Sequence, residues 1–224
     1  LPLPWHGVAE TSRGTAFCTI IAGPNGSGKS TIYPLLSLDG EFVNADLVAR
    51  RIDPTNPESV SIAAGRLVLK MIDELLNDRR SFVYETTLSS RQSLSVMERC
   101  HDLGYEVALV YVALDSPELN ILRVAERVSR GGHDIPAEVI RRRYKTAFVR
   151  LPHALRLADN SLLFDNSGLE PRMLLALQRG KLVANRLDEA MPSHVRLAEI
   201  VAQALDINMD AVFRAARHPG SDPR

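Results

Sequence analysis

Residues 17–30, Phe-Cys-Thr-Ile-Ile-Ala-Gly-Pro-Asn-Gly-Ser-Gly-Lys-Ser, decide how the rest of the chain is read. Phe17 to Ala22 is a β-rich apolar run that stops at a glycine, the pattern of a strand buried in a parallel sheet. Gly23 to Ser30 then spells G-x-x-x-x-G-K-[ST], after that strand and before a stretch able to start a helix, the context a phosphate-binding loop requires. Phosphates need backbone N–H groups converging on them, and Gly26 and Gly28 permit that approach, with Pro24, Asn25 and Ser27 completing the loop. The following helix start adds its positive dipole end. Lys29 is the cation for the β- and γ-phosphates, Ser30 offers a hydroxyl to Mg²⁺, and Thr31 stands beside it. ATP fits better than GTP, because the D-x-x-G letters of Asp165-Asn-Ser-Gly168 come late and no N-K-x-D follows.

Outward from the loop, strands alternate with helices. Glu41 to Asn44, Ser81 to Tyr84, Glu106 to Leu114 and Ser161 to Phe164 read as strands. Helices are expected over Ser30–Leu38 (shortened or kinked by Pro34), Glu58–Arg79, Arg91–Leu103, from Ser116-Pro117 onward, Ala137–Leu157 and Ser193–Leu205. Met173–Gln178 and Lys181–Ala184 flank Arg179-Gly180 as a hairpin, and a polar tail follows Leu205. The pattern predicts an α/β P-loop nucleoside triphosphate hydrolase fold, a mainly parallel sheet with helices on both faces and an arginine-bearing helical lid. With 224 residues the expectation is one domain over 1–224, residues 17–167 forming core and lid and 168–224 the hairpin and last helices.

The overall charge excludes whole classes of partner. Lys plus Arg and Asp plus Glu are 27 each, so no net field draws the molecule to nucleic acid or membrane. Locally the balance breaks. Between Arg123 and Arg150 stand seven arginines and Lys145 against Glu126, Asp134 and Glu138, an excess suited to an anionic ligand. Cys18 and Cys100 make no disulfide framework and no C-x-x-C pattern. Leu1 to Ala16 lacks a signal-peptide pattern, and no apolar stretch reaches the ~20 residues of a membrane span, so a cytoplasmic location is expected.

A phosphate loop alone serves motors, transporters, switches and kinases. The chain has no L-S-G-G-Q-like signature and no apolar strand ending in Asp-Glu, which disfavours a transporter ATPase. Asp46 follows the second strand, where strand ends meet the ligand crevice. It is a candidate base for an attacking hydroxyl, or a cap for a helix starting at Leu47. Glu85, with Thr86 and Thr87, ends the third strand as a clamp for a hydroxylated substrate or a water-mediated Mg²⁺ site, or caps the helix near Arg91. Arg123, Arg127 and Arg130 share one helical face, and Arg141, Arg142 and Arg143 lie beyond the Gly131-Gly132 break. Arginines there would stabilise charge on a transferring phosphoryl group.

AGPNGSGKST, NADLVAR, ETTLS, YVALDSPELNILRVAERVSRGGHDIP, IRRRY and FDNS, in this order and spacing, resemble the small zeta-toxin-like kinases of bacterial toxin–antitoxin systems, over about Phe17 to Ser167. The resemblance implies a nucleotide-kinase-like core, Lys29 and Ser30 on ATP–Mg²⁺, Asp46 as base, Glu85 on substrate, Arg127 and Arg130 on the phosphates, and Asn166 near the adenine. Larger members phosphorylate the 3′-hydroxyl of the amino sugar of UDP-N-acetylglucosamine, so a nucleotide sugar is the favoured acceptor. An antitoxin protein is the implied partner. A metabolite or antibiotic kinase, and an ATPase switch without an acceptor, are the alternatives. Residues from Leu169 onward carry no part of the resemblance.

Overall fold

The protein is described as a computed structural model covering residues 15–132 and 134–216. β1 (Phe17–Ala22) lies inside a seven-stranded sheet, third from one edge, because both of its faces are apolar. Cys18, Ile20 and Ala22 feed the larger core cluster on one face, and Ile21 feeds a smaller one on the other. Its neighbours are β3 (Phe82–Thr86) and β4 (Glu106–Ala113), both parallel to it. β2 (Glu41–Asn44) pairs in parallel outside β3, and β5 (Asn160–Asp165) outside β4. The antiparallel hairpin of β6 (Arg172–Gln178) and β7 (Lys181–Asn185) then extends the sheet, giving the order β2-β3-β1-β4-β5-β6-β7. Arg179 and Gly180 both take positive φ, 46° and 71°, which a two-residue hairpin turn requires.

Helices connect the parallel strands and cover both faces. The helix expected over Ser30–Leu38 is broken as Pro34 dictates: α1 spans Lys29–Ile32 and a 3₁₀ turn spans Tyr33–Leu35. α2 (Ala45–Ile52) starts two residues earlier than the sequence suggests, because Asn44 caps it by accepting from the Leu47 amide at 2.9 Å. The long pattern from Glu58 resolves into a 3₁₀ turn at Pro57–Val60 and α3 (Ser61–Asn77). α4 (Gln92–Asp102), α5 (Pro117–Ser129) and α6 (Ala137–Leu157) fall where expected, and Ser116 caps α5 through the Leu119 amide. α5 and α6 also enclose a small apolar cluster of their own, Val124, Ile135 and Ile140, separate from the sheet.

α7 (Pro192–Leu205) is followed by α8 (Met209–Ala216), where the sequence predicts a polar tail. Asn208 Oδ1 accepts from the Asp210 amide at 2.6 Å to start α8, and Val212 and Phe213 are buried. Eight residues are too few for a helical period to stand out from a tail. At the core's centre, Tyr111 is fully buried with Phe148 edge-on to its ring at 5.9 Å. Its hydroxyl has no hydrogen-bond partner among the described residues. No helix of the described residues is long and apolar enough to cross a membrane.

Candidate nucleotide and acceptor site

The strand ends place four sequence-predicted groups around one cavity of about 570 Å³: the loop after β1, Asp46 after β2, Glu85 on β3 and Asn166 after β5. This is where a sheet with its order reversing at β1 opens a crevice. Within the loop, Gly26 and Gly28 take φ of 76° and 91°, and a Cβ on Gly28 would stand 2.1 Å from Asn166 Nδ2. That same amide donates to the Ser27 carbonyl at 2.8 Å. Asn166 therefore borders the cavity but clamps the loop, rather than presenting its N–H₂ outward. From α5, Asn120 Nδ2 donates to the Asn25 carbonyl at 2.6 Å, and from α6, Arg143 Nη1 donates to Asn25 Oδ1 at 3.0 Å. Of the three adjacent arginines, Arg143 turns inward. Arg141 pairs with Glu118 at 3.3 Å and Arg142 is exposed.

Lys29 is buried, and its Nζ donates to the carbonyls of Gly23 at 2.8 Å and Pro24 at 3.3 Å. Glu85 Oε1 lies 3.7 Å away as its ion-pair partner. Burial pulls the ammonium below the ordinary lysine range, while Glu85 and then Asp46 act in the opposite direction. Asp46 is exposed on the first turn of α2. The capping duty weighed for it belongs to Asn44, so its carboxylate is left for the cavity. Asp46 also borders a second, smaller cavity of about 70 Å³ between α2, the Pro57 turn, α3 and α6, where Arg50, Glu58, Arg127 and Arg143 stand. A third space of about 340 Å³ beside the α5 end is lined by Arg50, Arg123, Arg127 and Arg130, with Glu126.

Two residues expected at the acceptor are engaged elsewhere. Thr86 and Thr87 do not line these cavities. The Thr86 hydroxyl bonds Ser93 at 2.8 Å and accepts from the Leu88 amide, and the Thr87 hydroxyl bonds Ser89 at 2.7 Å. Leu88 follows them in the left-handed region, φ 57°, and both hydroxyls are engaged by the turn and the start of α4. Nor does Glu85 cap α4, whose N-terminus has no side-chain cap. The Gly131-Gly132 break is a bonded helix stop. The Gly131 amide reaches the Val128 carbonyl and the Gly132 amide the Arg127 carbonyl, each at 2.9 Å. The sequence missed Arg50, which lines all three cavities; its place one helical turn after Asp46 was the available signal.

A metal finds no cage of three or more His, Cys, Asp or Glu among the described residues. Ser30, Asp46 and Glu85 do share the large cavity, and Mg²⁺ carried on phosphates needs only one or two protein oxygens. The residues present fit such an ion.

Comparison with known proteins agrees with this architecture. An uncharacterized protein of Haemophilus influenzae is 32% identical over 123 residues, covering 54% of this chain and 88% of that one. A chain in the crystal structure of AvrRxo1-ORF1:-ORF2 with ATP superposes with a TM-score of 0.64 at 17% identity, over 92% of this chain and 82% of its own. A chain from the PezAT chromosomal toxin–antitoxin system of Streptococcus pneumoniae gives 0.54 at 14% identity, over 88% and 89%. At these identities the two structures show a shared fold. The family model for zeta toxin matches residues 7–167, from before β1 into the loop that follows β5, and the chain belongs to that family.

Proposed function

We propose that this protein transfers the γ-phosphoryl group of ATP to a hydroxyl of a small metabolite, a nucleotide sugar such as UDP-N-acetylglucosamine being the favoured acceptor, and acts as the toxin of a toxin–antitoxin pair. One observation carries the reading: Asp46 borders both the cavity around Lys29 and Ser30 and the smaller cavity beside it. A carboxylate on that boundary is placed for a base acting between a nucleotide and an acceptor.

In the reaction, the acceptor oxygen forms a bond to the γ-phosphorus as the bond from that phosphorus to the β,γ-bridging oxygen breaks, and ADP leaves. The hydroxyl proton passes to Asp46. Lys29, Arg127 and Arg130 offset the charge spread over the transferring group, and the α5–α6 pair is the lid that carries the arginines. Asn25, Asn120 and Asn166 hold the loop's amides in place. Ser30 would hold Mg²⁺, which when bound neutralises charge on the β- and γ-phosphate oxygens. The family membership and the PezAT and AvrRxo1 likenesses support the toxin reading and an antitoxin partner.

The test is incubation with ATP, Mg²⁺ and a panel of nucleotide sugars, free sugars and nucleotides, followed by mass spectrometry. A product heavier by one phosphate in the nucleotide-sugar arm is expected. ADP release with no phosphorylated product in any arm overturns the acceptor assignment in favour of an ATPase.

A further inference from the structure

We propose that Arg50 is the residue that selects an acceptor bearing a phosphate group close to the hydroxyl that reacts. The inference rests on the kinase reading and adds to it a residue and an acceptor chemistry. Arg50 follows Asp46 by four residues on α2, so the two side chains share one face with their Cβ atoms about 5–6 Å apart. Both line the small cavity and the large one, and Arg50 alone of the two also lines the arginine-rich space at the α5 end. No other residue borders all three except Arg127.

The cations here differ in what already holds them. Arg143 is bonded to Asn25, Arg123 reaches the Ser167 and Gly168 carbonyls, and Arg141 is paired with Glu118. The Arg50 guanidinium has no hydrogen bond or ion pair to any described residue. Lys29, within the loop, lines the large cavity and not the small one, and Arg130, at the C-terminal end of α5, lines the large cavity and the arginine-rich space. Arg50 stands on α2 beside the proposed base. An acceptor lying against α2 therefore brings its hydroxyl to Asp46 and whatever is one helical turn away to Arg50. A guanidinium fork matches phosphate geometry with two parallel hydrogen bonds. A phosphate there also offsets the crowding of Arg50, Arg123, Arg127 and Arg130 around Glu126. A neutral sugar would leave the fork facing uncharged hydroxyls.

The experiment titrates inorganic phosphate into the full chain saturated with Mg²⁺ and a non-hydrolysable ATP analogue, by calorimetry. Wild type should bind phosphate. Arg50→Gln should weaken that binding at least tenfold while leaving the analogue's Kd within twofold, and Arg50→Lys should fall between. Arg50 is exposed, so the variants fold, which a melting curve verifies. Phosphate affinity unchanged in Arg50→Gln overturns the proposal. So does an equal loss of analogue affinity, which would assign Arg50 to the nucleotide, or wild type binding the analogue but no phosphate. Failure of wild type to bind the analogue at all is a different result, and strikes the kinase reading itself.

Discussion

Asp46 is an exposed carboxylate in the first turn of a helix that Asn44 already caps, so its removal should cost the fold little. Asp46→Asn is expected to keep ATP-analogue affinity and lose about 10²–10⁴-fold in transfer rate, the usual worth of a positioned base. Full transfer activity in that variant would remove Asp46 from the mechanism. Lys29 carries a pH prediction. Its burial lowers the pKa, so the ammonium that a triphosphate needs is lost earlier than an ordinary lysine, at ~10.4, would lose it. Analogue affinity should therefore fall with rising pH below that value, with a proton taken up on binding in the window. The stability sign is the same as for any depressed group. The unfolded chain holds the proton longer, so stability from this site grows as pH rises from the folded toward the unfolded pKa. A Kd flat through the alkaline range would contradict the burial. At this scale the loop residues were readable because their spacing is the chemistry, and Asp46 because a strand end locates it. The partners of Thr86 and Thr87 were not readable, because a hydroxyl's direction depends on the backbone turn around Leu88, which composition does not encode. Among Arg141, Arg142 and Arg143, only the packing of α6 through Ile140, Tyr144 and Ala147 sets which one turns inward.

Helix α5 ends where its arginines are, and the manner of its ending controls them. Gly131 takes φ 82°, and a Cβ on Gly132 would meet Arg127 Cγ at 2.6 Å and the Arg127 carbonyl at 2.7 Å. Gly132→Ala must therefore displace Arg127 itself, whereas Gly131→Ala meets nothing within 4 Å and bears only backbone strain. Transfer should drop about tenfold in Gly132→Ala, ~1.4 kcal/mol, and less in Gly131→Ala, measured as kcat/KM for the same acceptor. The opposite ranking would mean that conformational freedom, rather than the place of Arg127, is what the pair supplies. Most elements were legible in advance, since buried parallel strands are unbroken apolar runs and Ser116-Pro117 or Pro34 act locally. α8 was not, because its helical character comes from Val212 and Phe213 packing against the sheet.

Across the whole molecule, the part beyond the zeta toxin match adds to the core that the matched part builds. Leu174, Leu175, Leu197, Val201 and Phe213 lie in one cluster with Ile20 and Leu109. Phe213→Ala should cost about 3–5 kcal/mol and lower Tm by roughly 6–20 °C for a chain of this size. Analogue affinity, measured well below Tm, should hold. A loss confined to one early transition, with the rest melting unchanged, would show that the last strands and helices unfold alone. Tyr111 points the other way. Its oxygen gives up hydration on folding and receives no acceptor among the described residues, so it is a standing penalty. Tyr111→Phe deletes that one atom and should raise Tm by about 2–4 °C, for ~1 kcal/mol; a fall would reveal an acceptor. The centre of the sheet thus has headroom, and a more heat-resistant version of this protein lies one oxygen away from the natural sequence.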